Sequence, residues 1–307
     1  MNKLDAMRIY VQVAELASFT QAADSLNLAK ANVSAAVKQL EAELGTRLLH
    51  RTTRSVQMTQ DGLLFYERSK DLLSDMNELH SLFQQDDMHL QGRLRVDLPV
   101  GIAKNILLPK LPEFLQQYPH LEIELSSTDR RVDVVREGFD CVMRIGPLDD
   151  NHLIARPLGM LRQINLASPA YLKLVGTPMH LKDLEQHFLI HYSNNLGNSV
   201  QQRQLGFEYL DQGKLHTIPM RGKLTVNNSD AYQAACLAGF GLIQAPEIGV
   251  QHLIQDGKLV EILRDYQVPA LPVSLLYADR RHIAKRTQKF MEWTKQSLAP
   301  YLLQHKA

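Results

Sequence analysis

Residues Ser18–Arg51 read SFTQAADSLNLAKANVSAAVKQLEAELGTRLLHR, and a compact helical unit can be built outward from them. Ahead of this stretch, Leu4, Met7, Val11 and Ala14 recur at helical spacing, so a first helix ends near Ala17. Ser18, followed by Phe19 and Thr20, supplies a cap and a restart. A second helix from Thr20 to Leu26 breaks at Asn27, and a third carries Val33, Val37, Leu40 and Leu44 on one stripe before Gly45. From Arg47 to Thr59 an imperfect alternation ending in Ser55, Val56, Gln57 and Met58 suits a two-stranded wing.

Opposite its apolar stripe the third helix carries Ala31, Ser34, Ala35 and Lys38, a small and mildly polar face. Ser34 can reach a base edge, Lys38 a phosphate or guanine, and the alanine methyls a thymine methyl. The competing reading is an ordinary solvated helix surface. Arg47, His50, Arg51 and Arg54 follow without an intervening acid, and that placement favours a phosphate-gripping edge beside a DNA-reading helix. From Gln60 to about Asp87, Leu72, Met76, Leu79 and Phe83 follow coiled-coil spacing, so a long helix is expected to pair two chains. Packing of that seam against the wing is the alternative.

The run Phe19, Thr20, Gln21, Ala22, Ala23 through Val33 and Ser34 to Leu40, Glu41, Leu44, Gly45, Leu48 and Arg51 resembles the LysR-type transcriptional regulators. Asp129, Arg130, Arg131, Val132 and Asp133, then Glu137 to Asp140 and Arg144, Ile145 and Gly146, resemble a branch of that family; Ala238 to Gly241 resembles its AGxG turn. The likeness runs from Leu4 to about Leu298. It implies a winged helix, a dimerising linker helix and a two-lobed periplasmic-binding-protein-like α/β domain with a ligand cleft. It further implies tetramers that bend operator DNA, with RNA polymerase as a further partner. DNA contacts are expected from Phe19, Thr20, Lys30, Ala31, Asn32, Ser34, Ala35, Lys38, Arg51 and Arg54. Three departures stand out. Where the family commonly has Ser or Thr after the first sensor strand, this chain has Val100 or Gly101, which removes a hydroxyl contact to the ligand. The family usually has Ser where this chain has Ala29, which removes a capping bond, and Ala35 and Ala36 stand where Arg and Gln are frequent.

All 13 prolines fall from Pro99 onward, which marks a change of architecture. Strands at Leu94–Leu98, Leu121–Leu125, Cys141–Ile145, Leu189–Tyr192, Leu224–Val226, Leu242–Ala245 and Val273–Tyr277 alternate with helices, a βαβ grammar with a mainly parallel sheet. The strand at Val273 and the helix from His282 to about Leu298 fit either lobe. The expected division is 1–59 winged helix-turn-helix, 60–87 linker, 88–92 hinge and 93–300 effector-binding domain. Its lobe I covers about 93–162 and 268–300, and its lobe II about 163–267.

A cleft between α/β lobes collects strand ends and helix amino termini. The expected contacts there are Pro99, Val100, Gly101, Ile102, Arg144, Ile145, Ser168, Asn227, Asn228 and Phe240, and the expected ligand is a small acidic or aromatic molecule. Arg144 is either the charge complement of that ligand or a structural partner of Asp129 or Asp140, and Ser229 or Asn228 caps the following helix. As a ligand contact, Arg144 is expected to be replaceable by Ala without loss of folding.

Among 307 residues, 34 Lys and Arg balance 33 Asp and Glu, so any nucleic-acid signal is local. Cys141 and Cys236 lack metal-ligand spacing and read as buried inert thiols rather than redox sensors. His187 and His191 are four apart, as ligands on a helix would be, but no third ligand is near; no metal or cofactor is expected. There is no G-x-S-x-G elbow, P-loop or H-E-x-x-H, which argues against an enzyme. Asp5, Arg8 and Glu15 interrupt any signal sequence, which argues against a secreted solute-binding protein; the expected location is cytoplasmic, with no membrane partner.

Overall fold

The computed structural model describes residues 2–51, 56–81, 90–148, 153–193, 206–278 and 283–303. Two compact units emerge: residues up to Arg93 together with Tyr118–Glu122, and the remainder from Leu94 onward.

In the front unit, α1 (Lys3–Leu16) is capped by Asn2 and ends at Ala17 in the left-handed region, so the chain turns where the sequence periodicity stops. Helix α2 (Phe19–Ser25) is capped by Ser18, whose hydroxyl accepts from the Gln21 N–H. Helix α3 (Lys30–Leu44) ends at Gly45, also left-handed at φ 70°. Val33, Val37 and Leu40 pack with Ile9, Tyr10 and Val13 in one core. Two expectations for α3 change. Leu44 is exposed rather than part of the stripe, whereas Ala36 is fully buried, so of Ala35 and Ala36 only Ala35 faces outward.

The wing pairs β1 (Leu49–Arg51) with β2 (Val56–Met58) in antiparallel register. Glu41 near the end of α3 accepts from the N–H groups of Leu48 and Leu49 at 2.9 and 3.1 Å, fixing the wing to the preceding helix. Helix α4 (Gln60–Ser81) starts against this wing: the Tyr10 hydroxyl donates to the Gly62 carbonyl at 2.8 Å. A Cβ at Gly62 would lie 2.0 Å from the Leu48 carbonyl oxygen, so only glycine permits this approach.

Strand β3 (Gln91–Leu98) carries the chain from the front unit into the rear one, followed by a continuous helical path of α5 (Val100–Ile102), a π turn (Ala103–Leu107) and α6 (Leu108–Gln117). Then come β4 (His120–Ser127), β5 (Cys141–Ile145) and β6 (Leu153–Leu161). The chain passes into β7 (Gln163–Ala167) and α7 (Pro169–Val175), then β8 (His191–Tyr192). A hairpin of β9 (Gly206–Asp211) and β10 (Lys214–Pro219) precedes β11 (Thr225–Val226) and α8 (Ser229–Leu237). Next are β12 (Ile243–Pro246), α9 (Glu247–Gln255) and β13 (Val260–Glu261); β14 (Leu271–Ala278) and α10 (Lys285–Leu298) close the chain.

One lobe is built on a five-stranded sheet of order β4-β3-β5-β14-β6, and the other on the three-stranded sheet β12-β7-β13 with the short parallel pair β11-β8. The mainly parallel sheet expected from sequence is corrected. β3 and β5 are parallel, but β14 runs antiparallel to both β5 and β6, and β7 is antiparallel to both its neighbours. The returning strand β14 belongs to the first sheet, and α10 packs on that lobe through Phe290 and Trp293 against Phe114. No described helix is long and apolar enough to cross a membrane.

Candidate functional site

Each unit carries one candidate surface. In the front unit the buried stripe of α3 forces its other residues outward. Lys30, Ala31, Asn32, Ala35 and Lys38 are exposed and Ser34 is half-buried; at the start of α2, Phe19 is half-buried and Thr20 exposed. Ala29, extended at φ −66° and ψ 135°, gives α3 no side-chain cap, as its sequence implies. In the wing, Arg47 and His50 are exposed, Arg51 lies in β1, and Arg54 falls outside the described residues. On α4, Leu72 is 51% exposed and Met76 half-buried; Leu79 lies on the helix, and Phe83 is outside the described residues.

In the rear unit the interlobe contacts gather where α5 meets α8. Pro99 stands at the cap position of α5, and the Asn228 side chain, not that of Ser229, caps α8 by accepting from the Ala231 N–H at 2.8 Å. A Cβ at Gly101 would sit 3.6 Å from Ser229 Oγ, which measures how tightly the two lobes abut. Lys104 Nζ reaches Asp230 at 3.2 Å and Asn105 donates to the Gly249 carbonyl at 3.5 Å across the same seam.

At its centre is Asp129. One carboxylate oxygen accepts from the Val100 N–H at 3.0 Å and the other from the Ser229 N–H at 2.6 Å, so a single side chain of the first lobe joins the amino ends of α5 and α8. Tyr192 faces the same carboxylate: burial first, then the charge of Asp129 and a hydrogen bond to it, push the phenol's pKa upward. Sequence reading had noticed Asp129 only as a partner for Arg144 and within a motif. An extended segment after a strand gives no hint of which amides its side chain will meet.

Arg144 pairs instead with Asp97, at 2.8 Å from Nη1, so neither Asp129 nor Asp140 is its partner. Asp97 is fully buried and also accepts from the Thr128 hydroxyl at 3.0 Å. The second terminal nitrogen of Arg144 is buried with no hydrogen-bond partner among the described residues. Asp140 accepts from the Arg95 N–H at 2.8 Å.

The other expected cleft residues divide. Val100, Gly101, Asn227 and Asn228 lie at the α5–α8 meeting, and Ile145 is half-buried at the end of β5. Ile102 is buried at 2% exposure and turns into the core. Ser168 is buried with its hydroxyl capping α7, and Phe240 lies beyond the carboxyl end of α8, the end remote from Asn228. Ser168 and Phe240 thus stand away from the amino end of α8, whereas Ile102 is a buried residue of α5 itself.

The histidines do not share a helix. His187 ends a 3₁₀ turn (Leu181–Gln186) and meets the Tyr171 hydroxyl at 3.2 Å, while His191 starts β8; burial lowers both pKa values. Cys141 and Cys236 are buried; desolvation raises both thiols, Cys236 to about 12, which removes thiolate reactivity near neutral pH.

Comparison with known proteins adds to this geometry. Residues 4–63 match the model of the bacterial regulatory helix-turn-helix protein, lysR family, and residues 88–299 match the LysR substrate binding domain. The chain is 45% identical over 98% of its length to the HTH-type transcriptional regulator YhjC of Escherichia coli, and covers 100% of that relative. It is 34% identical over 97% of its length to an HTH-type transcriptional repressor of Pseudomonas aeruginosa, covering 93% of it. Among solved structures, CrgA, a LysR-type transcriptional regulator from Neisseria meningitidis, aligns with TM-score 0.59 and 28% identity over 96% of this chain and 98% of that one. The full-length virulence activator AphB of Vibrio cholerae aligns with TM-score 0.56 and 26% identity over 99% and 100%.

Proposed function

The chain belongs to the LysR family of DNA-binding transcriptional regulators, and from that premise we propose how its own residues divide the work. The family is not enzymatic; its members bind operator DNA and small-molecule effectors and assemble into oligomers. In this chain α3 enters the major groove with Ala31, Asn32, Ser34, Ala35 and Lys38 toward the bases, while Lys30 and the wing arginines Arg51 and Arg54 hold phosphate. Phe19 and Thr20 contact the backbone from the start of α2. The observation that carries this reading is the exposed, small-residue face of α3 directly ahead of a basic wing.

A salt titration tests it. Fluorescence anisotropy with a duplex from the chain's own promoter region is expected to show affinity falling steeply with salt, and Lys30→Ala is expected to reduce the log–log slope by about 1. Binding indifferent to salt and to duplex sequence refutes the assignment of this face.

Leu72, Met76 and Leu79 of α4 pair two chains, with Phe83, which lies outside the described residues, continuing their spacing in sequence; a 22-residue helix of roughly 33 Å with Leu72 exposed supports this reading. The effector is a small molecule with an acidic group or an aromatic ring, held between the lobes with Arg144 among its contacts; the Nη2 of Arg144, buried without a hydrogen-bond partner among the described residues, supports an acidic group. Contact with RNA polymerase belongs to the same reading.

A further inference from the structure

We infer that Asp129 is a built-in stand-in for an effector carboxylate: it latches the two lobes together, and an acidic effector is recognised by displacing it. This rests on the interlobe cleft proposed above and specifies how that cleft is occupied.

Each oxygen of Asp129 takes one backbone N–H, from Val100 of the first lobe and from Ser229 of the second. Both donors open helices, where unsatisfied N–H groups and the helix dipole favour negative charge, and the Ser229 bond at 2.6 Å is short for an N–H donor. Tyr192, from a third element, adds a hydroxyl to the same group. Lys104 pairs with Asp230, and the contacts seen for the Asp129 carboxylate among the described residues are amide and phenol donors. That donor set suits a free carboxylate equally well. Because Asp129 is tethered, its effective concentration far exceeds that of a dissolved competitor, and weak monocarboxylates are excluded. The hydroxyl of Thr128, the preceding residue, is tied to buried Asp97 and so to Arg144, which anchors the latch from the first lobe.

The test uses the full chain and thermal unfolding followed by its single tryptophan, Trp293, which lies in the rear unit. Asp129→Ala is expected to lower the midpoint by roughly 5 °C in chloride, from loss of two charge-assisted bonds. Sodium formate at matched ionic strength is expected to restore at least half of that drop. The formate concentration for a half-maximal shift should be at least tenfold lower for the variant than for the unaltered protein, about 1.4 kcal/mol of competition. An unchanged midpoint in Asp129→Ala, or equal formate responses of the two proteins, overturns the inference. Should Asp129→Ala fail to fold, Asp129→Asn decides. A smaller drop without formate response supports the latch, because the amide fills the position, and a midpoint equal to the unaltered protein refutes it. None of these readouts involves DNA, so a failure of operator binding and a failure of the latch are distinguishable.

Discussion

Three successive helices of the front unit start in three different ways, and the difference yields a sharp prediction. The Asn2 side chain accepts from the Leu4 N–H and Ser18 from the Gln21 N–H, each at 3.3 Å, whereas Ala29 offers α3 no side-chain acceptor. Ala29 nevertheless has the backbone of a capping residue: φ −66° and ψ 135° lie close to the −67° and 146° of Asn2. Its carbonyl already accepts from Asn32 and Val33, so the helix is correctly begun and lacks only a side-chain acceptor. Ala29→Ser therefore needs no backbone adjustment and should gain about 1 kcal/mol, the usual difference between Ser and Ala at this position. That is roughly a fivefold slowing of amide exchange for the residues of α3. Hydrogen–deuterium exchange on the full chain reads it locally, with Trp293 fluorescence as a control that should not move. Ser18→Ala supplies the mirror experiment, with exchange in α2 roughly fivefold faster. Unaltered or faster exchange in α3 of Ala29→Ser, with Ser18→Ala behaving as stated, would refute the view that α3 lacks only a cap.

Other consequences are equally direct. Gly62→Ala places a methyl 2.0 Å from the Leu48 carbonyl oxygen, so α4 must shift off the wing; a loss of about 2 kcal/mol or more is expected in a urea titration followed by far-ultraviolet circular dichroism. Arg144→Ala leaves Asp97 charged and fully buried, so it should cost about 3–5 kcal/mol rather than leave folding intact, and Asp97→Ala should cost a similar amount. In the double variant the two losses should not add, since neither charge is then stranded; additive losses in a denaturation cycle would disprove the coupling. His187 and His191 have folded pKa values below their unfolded value, so between those values the unfolded chain binds more protons. Stability of the rear unit is thus complete above about pH 6.5 and declines as pH falls below it. Urea midpoints at pH 7.5 and 5.5 should show the decline, and replacing both histidines by Gln should flatten it.

Local structure was legible wherever a local rule governs it. Apolar spacing and the left-handed stops at Ala17 and Gly45 place α1 to α3 within a residue or two, and β5 matches its sequence reading end to end. β6 was not read at all, because Pro157 and Gly159 look like breakers. Pro157 is tolerated because β6 is the edge of its sheet and its register with β14 carries an irregularity beside Ser274. The β9–β10 hairpin escaped because β10 is largely exposed and lacks a clean alternation; its turn, at Gln212 and Gly213 with φ 49° and 77°, was the available signal. Strand direction was misjudged because the partners of β14 lie over a hundred residues earlier, and nothing within β14 says which way they run.

The recognition face and the cleft differ in legibility for the same reason. Which residues of α3 face outward follows from helical period, a property of neighbours in sequence, once the buried Ala36 is assigned to the inner side. The cleft depends on pairs such as Asp129 with Ser229, 100 residues apart, and Arg144 with Asp97, 47 apart. Yet Asp97 was a signal in plain view: an acid amid the apolar residues Leu94, Val96 and Leu98 is tolerated inside a strand only if a cation or several donors meet it there. A search for its partner would have led to Arg144 and Thr128, and from Thr128 to the adjacent Asp129. The buried charge that weakens a strand assignment by propensity is thus the residue that points to the interlobe contact.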